Sequence, residues 1–146
     1  MNDAIAKPMI EWLPAYAVGV PQIDAEHQRL FALAEGMHQA MLAGQGKAAL
    51  SALLADLVAY TCYHFTHEEQ LMQRTGYPNY QDHRMQHERL RAWVQAMQDR
   101  AASGEITMTI EVMQSLIQWL KRHIAVSDRL ISDHMKACGI SAHPRD

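Results

Sequence analysis

Two pairs of side chains that can bind a metal ion stand at helical spacing near the middle of the sequence. The first pair is His64 and Glu68, and the second is His83 and His87. Residues four apart on an α-helix are separated by about 6 Å of rise and about 40° of rotation, so both members of a pair point the same way. A turn at residues 75–78 (TGYP) would fold the two helices antiparallel. Three imidazoles and a carboxylate that face one another indicate a metal site.

The helices that would position these side chains follow from the apolar periodicity. Apolar residues recur at intervals of three and four along four stretches, which glycine and proline residues separate. The predicted helices span residues 22–42, 47–74, 80–102 and 109–136. Because we find no strand signal and no internal repeat, the sequence predicts an all-α fold, an up-down-up-down four-helix bundle.

A single domain is expected for the whole chain, residues 1–146. Of these residues 49% are hydrophobic and 20% are charged, a balance that is typical of a globular protein with a buried core. Three prolines interrupt residues 1–21, so we assign this stretch to an irregular N-terminal arm that lies on the domain. Residues 22–138 form the predicted bundle.

Composition also indicates which partners are excluded and in which compartment the protein is expected. The net charge of -3 and pI near 6.3 argue against nucleic acid as the main partner. No apolar run approaches the roughly 20 residues of a membrane span, and the N-terminus lacks a signal-peptide pattern. A cytoplasmic protein is therefore expected. Cys62 and Cys138 are predicted to be free thiols, and any role for them is open.

The bundle topology brings further candidate ligands to the level of the two pairs. His27 lies near the start of the first helix, and His123 and Asp128 lie near the end of the fourth. In an antiparallel bundle these ends are neighbours, so at about 1.5 Å per residue all the candidates fall in the same half. Spacing alone leaves Asp128 open, because a step of five residues turns it about 140° from His123. The candidate ligands are His27, His64, Glu68, His83, His87, His123 and Asp128.

Seven such side chains exceed the coordination of one ion but suit two. Each imidazole supplies one lone pair to one metal, whereas a carboxylate has two oxygens and can span two metals. Zinc would prefer a closed four-coordinate site, and magnesium or calcium would require more oxygen ligands. Iron or manganese fits the mixed set, and we favour two iron ions.

Four segments together resemble the hemerythrins, most closely the bacterial single-domain form. They are VGVPQIDAEH at residues 18–27, HFTHEE at 64–69, His83-x-x-x-His87, and His123-x-x-x-x-Asp128. The resemblance covers nearly the whole chain and implies reversible oxygen binding at a non-haem di-iron centre. It implies that His83, His87 and His123 hold one iron while His27 and His64 hold the other. Glu68 and Asp128 would bridge the two ions, together with an oxo or hydroxo group.

The resemblance also implies an apolar pocket for O2 beside the ions. Five residues stand at matching offsets from the ligands, although a purely structural role in the core fits their periodicity equally well: Leu30, Phe65, Trp119, Leu120 and Ile124. Other polar residues are predicted to lie off the site. His67 and Glu69 are expected on a flank of the second helix that faces solvent or a neighbour, and His38, His134 and His143 at the surface.

We expect an oxygen-binding protein and not an enzyme. Five imidazoles and two carboxylates supply less negative charge than carboxylate-rich di-iron sites do, so cleavage of O2 is less favoured. The alternative is a di-iron enzyme, a peroxidase, oxidase or scavenger of nitric oxide, that uses the same site. Oxygen storage, delivery to an oxygen-consuming enzyme and sensing are equally compatible with the sequence. The expected oligomeric state is a monomer.

Overall fold

Helices make up nearly all the regular structure of this computed structural model, which describes residues 10–45, 47–103 and 110–139. Helix α1 spans Pro21–Leu42, α2 spans Lys47–Thr75 and α3 spans Tyr80–Ala102. The fourth helix of the bundle has three consecutive parts. These are α4 at Ile110–Arg122, a π-helical segment at His123–Asp128, and α5 at Arg129–Ala137.

The helices pack as the sequence predicts. Helix α1 contacts both α2 and α4, and α2 contacts α3, which is the arrangement of an antiparallel four-helix bundle. The described helix ends lie within one residue of those predicted, and residue 109, the predicted start of the fourth helix, lies outside the described residues. The all-α fold is therefore confirmed. The π-helical segment was not predicted.

Glycines with positive φ set two of the turns. Gly44 has φ +73° just after the end of α1, and Gly76 has φ +66° in the turn between α2 and α3. This left-handed conformation strains any residue with a β-carbon, so glycine is favoured at both places. The turn at Gly76 makes α2 and α3 antiparallel, which sets His64 and Glu68 opposite His83 and His87.

The apolar core is divided into two clusters. The larger one includes Leu30 of α1, Phe65 of α2 and Leu120 of α4. The smaller one lies nearer the α2–α3 turn and includes Val18, Val20, Ile23, Leu71, Met72, Tyr77, Ile131 and Met135. Along α1, α2 and the fourth helix, the candidate ligands fall between residues of the first cluster and residues of the second. The polar site is therefore enclosed by apolar side chains at both ends.

The described part of the N-terminal arm packs on the bundle, as predicted. A short 3-10 helix occupies Pro14–Tyr16. The rings of Trp12 and Tyr16 meet the ring of Phe31 edge-on, with centroids 5.4 and 5.0 Å away. The Arg129 guanidinium donates hydrogen bonds to the carbonyls of Ala15 and Ala17, at 2.8 and 2.7 Å. Residues 1–9 of the arm lie outside the described residues.

His38 is not at the surface, so its prediction is wrong. Its exposed fraction is only 6%, and its Nδ1 lies 3.6 Å from Glu35 Oε2. The reason is the helical period, because eleven residues after His27 the helix has turned to within about 20° of the same face. His134 is half-buried, and its Nε2 lies 2.8 Å from the carbonyl oxygen of Thr75. His143 lies outside the described residues.

Helix α2 is also the most apolar of the long helices. By length and composition alone, Ala48–Thr75 suffices to cross a membrane, with a mean hydropathy of 1.3. No apolar run of this length was expected from the sequence, and the mean hydropathy of this helix corrects that expectation. In the bundle this helix packs between α1 and α3 and carries His64 and Glu68 into the buried site.

Candidate metal centre

The structure brings all seven candidate ligands together in the interior. None of them has an exposed fraction above 4%. Their donor atoms form two groups, in each of which the atoms lie within 4.8 Å of one another. One group contains Glu68, His83, His87, His123 and Asp128, and the other contains His27, His64, Glu68 and Asp128. The two carboxylates thus belong to both groups.

Glu68 directs one oxygen to each group. Its Oε2 lies 3.0 Å from His64 Nε2 and 3.2 Å from His27 Nε2. Its Oε1 lies 3.1 Å from His87 Nε2 and 3.2 Å from His83 Nε2. The carboxylate of α2 therefore stands between the imidazoles of α1 and α2 on one side and those of α3 on the other.

Asp128 makes the same division from the fourth helix. Its Oδ2 lies 2.9 Å from His27 Nε2, whereas its Oδ1 lies 3.0 Å from His83 Nε2 and 3.1 Å from His123 Nε2. The π-helical segment His123–Asp128 explains how this is achieved. Hydrogen bonds from residue i to i+5 bring residues five apart to the same side of the helix, where an α-helix would turn them about 140° apart. Spacing alone did not decide whether Asp128 faces the site, and the structure shows that it does.

The buried donor atoms fit cations. Both oxygens of Asp128 and Nε2 of His64 have oppositely polarised neighbours only 2.9–3.1 Å away, but none of these contacts has the angles of a hydrogen bond among the described residues. His87 Nε2 and His123 Nε2 face each other at 3.1 Å, close enough for two lone pairs to repel unless a proton or a cation lies between them. Orphaned polar atoms this deeply buried are costly, and a metal ion satisfies them. Imidazole mixed with carboxylate is a donor set that suits iron.

Three of the candidate-ligand histidines are held at their outer nitrogens. Nδ1–H of His64 donates to Glu26 Oε1 at 2.7 Å, and Nδ1–H of His87 donates to Glu69 Oε2 at 2.8 Å. Nδ1–H of His123 donates to Oε1 of Gln86 at 3.0 Å. In this tautomer each imidazole turns the lone pair of Nε2 toward the site, as metal binding requires.

The sequence analysis missed these hydrogen-bond acceptors. Glu69 does face a neighbouring helix, as predicted, but its contact with a ligand was not foreseen. His67 also faces a neighbour, with its Nδ1 2.6 Å from Oε2 of Glu26. A signal was present, because Glu26, Glu69 and Gln86 each stand next to a candidate ligand in the sequence. Such residues lie on the flank of their own helix, where they can meet a ligand of the adjacent helix.

The two buried carboxylates dominate the electrostatics. Burial would lower the pKa of His64, but the charge of Glu68 beside Nε2 and the carboxylate of Glu26 at Nδ1 raise it to about 10. Burial opposes His83 in the same way, and Asp128 and Glu68 raise its pKa to about 9. Burial would raise the pKa of Glu68 itself, yet the surrounding imidazoles hold it well below its ordinary value. The interior therefore favours positive charge at this place, whether protons or metal ions supply it.

Aromatic and aliphatic side chains close one side of the site. The ring of Phe65 stacks on His87 with 3.7 Å between centroids and 3° between planes. The half-buried Trp119 stacks on His123 at 4.4 Å and 13°. The other three residues predicted for the O2 pocket, Leu30, Leu120 and Ile124, are buried in the same apolar cluster as Phe65.

The fold and the buried side chains together define a helical-bundle protein with a histidine-rich candidate site for two cations. Comparison with known proteins agrees. The sequence model of the hemerythrin HHE cation binding domain matches residues 18–133. The bacteriohemerythrin of Stenotrophomonas maltophilia (strain R551-3) is 31% identical over 129 residues, which cover 88% of this chain and 83% of that protein. That of Pseudomonas aeruginosa (strain PAO1) is 32% identical over 117 residues, 80% of this chain and 75% of that protein.

Similarity extends to solved structures. A wild-type hemerythrin crystal structure superimposes with a TM-score of 0.81 at 25% identity, over 86% of this chain and 97% of that one. The chain belongs to the hemerythrin family, and it is an oxygen-binding protein of the di-iron type.

Proposed function

We propose that the seven buried side chains hold two iron ions, one with three imidazoles and the other with two. The observation that carries this assignment is the division of each carboxylate, because Glu68 and Asp128 each point one oxygen at each group of imidazoles. Three imidazoles and one oxygen of each carboxylate would hold the ion on one side. Two imidazoles and the other oxygen of each carboxylate would hold the second ion, which would have one protein ligand fewer and so more room for O2. The three-histidine ion would be held by His83, His87 and His123, and the two-histidine ion by His27 and His64.

The residues around the ions support reversible binding of O2. When bound, two ferrous ions supply electrons that O2 takes up on binding and returns on release. The chain orients the imidazoles through Glu26, Glu69 and Gln86, and its apolar clusters keep water away from the site. We assign the O2 pocket to the buried wall beside the ligands, formed by Leu30, Phe65, Trp119, Leu120 and Ile124.

Oxygen carriage is favoured over catalysis by the same wall and by the ligand set. The side of the site that faces the larger cluster presents rings and aliphatic groups, which offer little to bind or protonate a second substrate. Five imidazoles with two carboxylates also supply less negative charge to the ions than carboxylate-rich sites do. A peroxidase, an oxidase or a nitric oxide scavenger is the alternative function. We further propose a cytoplasmic monomer that stores, delivers or senses oxygen.

A reversibility experiment tests this proposal. The iron-loaded protein is reduced without oxygen, exposed to air and then returned to oxygen-free buffer, while its visible absorption is recorded. An oxygen carrier develops a new band in air and loses it when oxygen is removed, over repeated cycles. A single irreversible change, or steady oxygen consumption with an added reductant, would instead show an enzyme and contradict the proposal.

A further inference from the structure

His87 is held on two sides by residues of helix α2. The ring of Phe65 stacks against its face with 3.7 Å between centroids, and the carboxylate of Glu69 accepts a hydrogen bond from its Nδ1–H at 2.8 Å. Phe65 and Glu69 are four residues apart, so they lie on one face of α2, one turn after the other. Together they fix both the tilt of the imidazole and the direction of its Nε2.

Arg91 contacts both of these residues from helix α3. Its Nη1 lies 3.1 Å from Glu69 Oε2, and its guanidinium carbon lies 5.3 Å from the centroid of the Phe65 ring, over the ring. It also pairs with Glu88 at 2.8 Å on the outside of α3. Arg91 stands four residues after His87, so the ligand and the arginine share a face as well.

Phe65, Glu69 and Arg91 thus form a closed set of contacts around His87, which we call the clamp. A flat guanidinium can pair with a carboxylate and lie over an aromatic ring at the same time, which a lysine ammonium does less well. The side chains of Arg91 and Glu69 are 22% and 17% exposed, so the pair is shielded from water on most sides. The other two acceptors are held differently, since Ser127 donates to Gln86 at 2.9 Å and His67 contacts Glu26.

We propose that Arg91 and Glu69 are positioning residues for His87, with Arg91 fixing both the carboxylate and the ring that orient this one ligand. The inference rests on the proposed function, in which His87 binds the three-histidine ion. Its distinctive consequence is selectivity. Among the described residues, the side chains of Arg91 and Glu69 contact neither His27 nor His64, and only the Phe65 ring comes near His64, with 6.1 Å between the ring centroids. Loss of a residue that orients a metal ligand typically weakens metal binding about 10- to 100-fold. We expect a loss in this range for Glu69→Ala and about tenfold for Arg91→Met, in the three-histidine group alone.

Cobalt titration of the metal-free chain measures this selectivity. Co²⁺ is added to the wild type and to each variant while the visible bands of the bound ion are followed, so that the two binding steps are resolved. Two matched controls are available on α3. Glu88→Gln removes the outer partner of the same arginine, and Arg89→Met removes an exposed arginine that faces away from the site. Both controls should titrate as the wild type does.

A second readout reports on His87 directly. In the zinc-loaded protein, the hydrogen-bonded Nδ1 proton of His87 should give a resolved, downfield NMR signal. It should disappear in Glu69→Ala and shift or broaden in Arg91→Met, while the signal of His64 is unchanged. Arg91→Lys keeps the charge beside Glu69 but not the flat group over Phe65, so it should restore part of the affinity. It also provides a folded variant should Arg91→Met fail to fold.

The outcomes separate the two proposals. Uptake of fewer than two Co²⁺ by the wild type would overturn the proposed metal site, and this inference with it. Two Co²⁺ in the wild type, with one step weakened in the clamp variants, would support both. Two Co²⁺ with both steps weakened equally, or neither weakened, would leave the proposed function standing and refute the positioning role.

Discussion

Leu120 offers the sharpest test of how the apolar wall protects bound oxygen. It lies one helical turn before His123, is 2% exposed and belongs to the cluster that contains Leu30, Phe65 and Ile124. Leu120→Ala should open a space beside the site on the scale of one or more water molecules. Water admitted there can protonate the bound oxygen, which then leaves as hydrogen peroxide and takes two electrons with it. The oxygenated protein should therefore decay to the diferric form faster.

Two magnitudes follow from the burial of this side chain. The substitution removes three buried carbons at about 0.8 kcal/mol each, and the cavity that remains adds to this, so the free energy of unfolding should fall by about 2–5 kcal/mol. We expect the rate of autoxidation to rise roughly tenfold, which corresponds to about 1.4 kcal/mol of lost barrier. The decay of the oxygenated protein is followed by its visible absorption, and stability by denaturant unfolding.

The control must lose a buried leucine of the same cluster far from the ligands. Leu54 serves, because it is 5% exposed and lies about 15 Å along α2 from His64. Leu53 would be a poorer choice, since it is only half-buried. Leu54→Ala should destabilise the protein comparably without accelerating autoxidation. Equal acceleration in both variants would mean that general loosening of the core explains the effect, and the protective role of Leu120 would be refuted.

Three further outcomes are expected. Metal analysis should find about two irons per chain, and removal of iron should lower the melting temperature because the buried ligands lose their cations; one zinc and no iron would contradict this. His64→Ala should abolish oxygen binding but spare the three-histidine iron more than His87→Ala does, as iron content and oxygen uptake would show; equal losses would argue against an unequal site. In the metal-free protein, the buried carboxylates raise the pKa of His64 to about 10 and that of His83 to about 9, from an ordinary value of 6.5. The stability that these two protonated imidazoles contribute is therefore complete below about pH 6.5 and is lost as the pH rises through 9 to 10. The melting temperature of the metal-free chain should therefore fall between pH 7 and pH 10, and fall less in His64→Gln; a flat profile would count against these shifts.

The sequence predicts the helices and the convergence of the candidate ligands because both depend on the 3.6-residue repeat of the α-helix. Apolar spacing fixes which face of each helix is buried, and short turns fix the antiparallel order, so His27 and His64 must reach the same level. The burial of His38 follows from the same period, since eleven residues after His27 the helix returns to the buried face of α1. The wrong prediction for His38 was therefore avoidable from the sequence.

Other features depend on geometry that an ideal helix does not contain. The spacing of His123 and Asp128 places them apart in an α-helix, and only the local change to i→i+5 hydrogen bonding brings them together. The clamp around His87 also needs more than spacing, because it depends on which flank of α2 meets which flank of α3. Periodicity marks the buried face of each helix but does not predict which residues on the flanks of two neighbouring helices meet.

The π-helical segment also gives the chain a place where its length can change. In an α-helix, a residue four positions after His123 lies within about 40° of it, much as Asp128 does here after five. Deleting the exposed Ala125 or Val126 would therefore convert the segment to an α-helix, with the aspartate still facing the site and α5 still in register. Elsewhere in a helix, one deletion rotates every later residue by about 100°. Insertions and deletions are usually confined to loops, but we expect this bundle to absorb one deletion inside a helix, at the level of its candidate metal ligands.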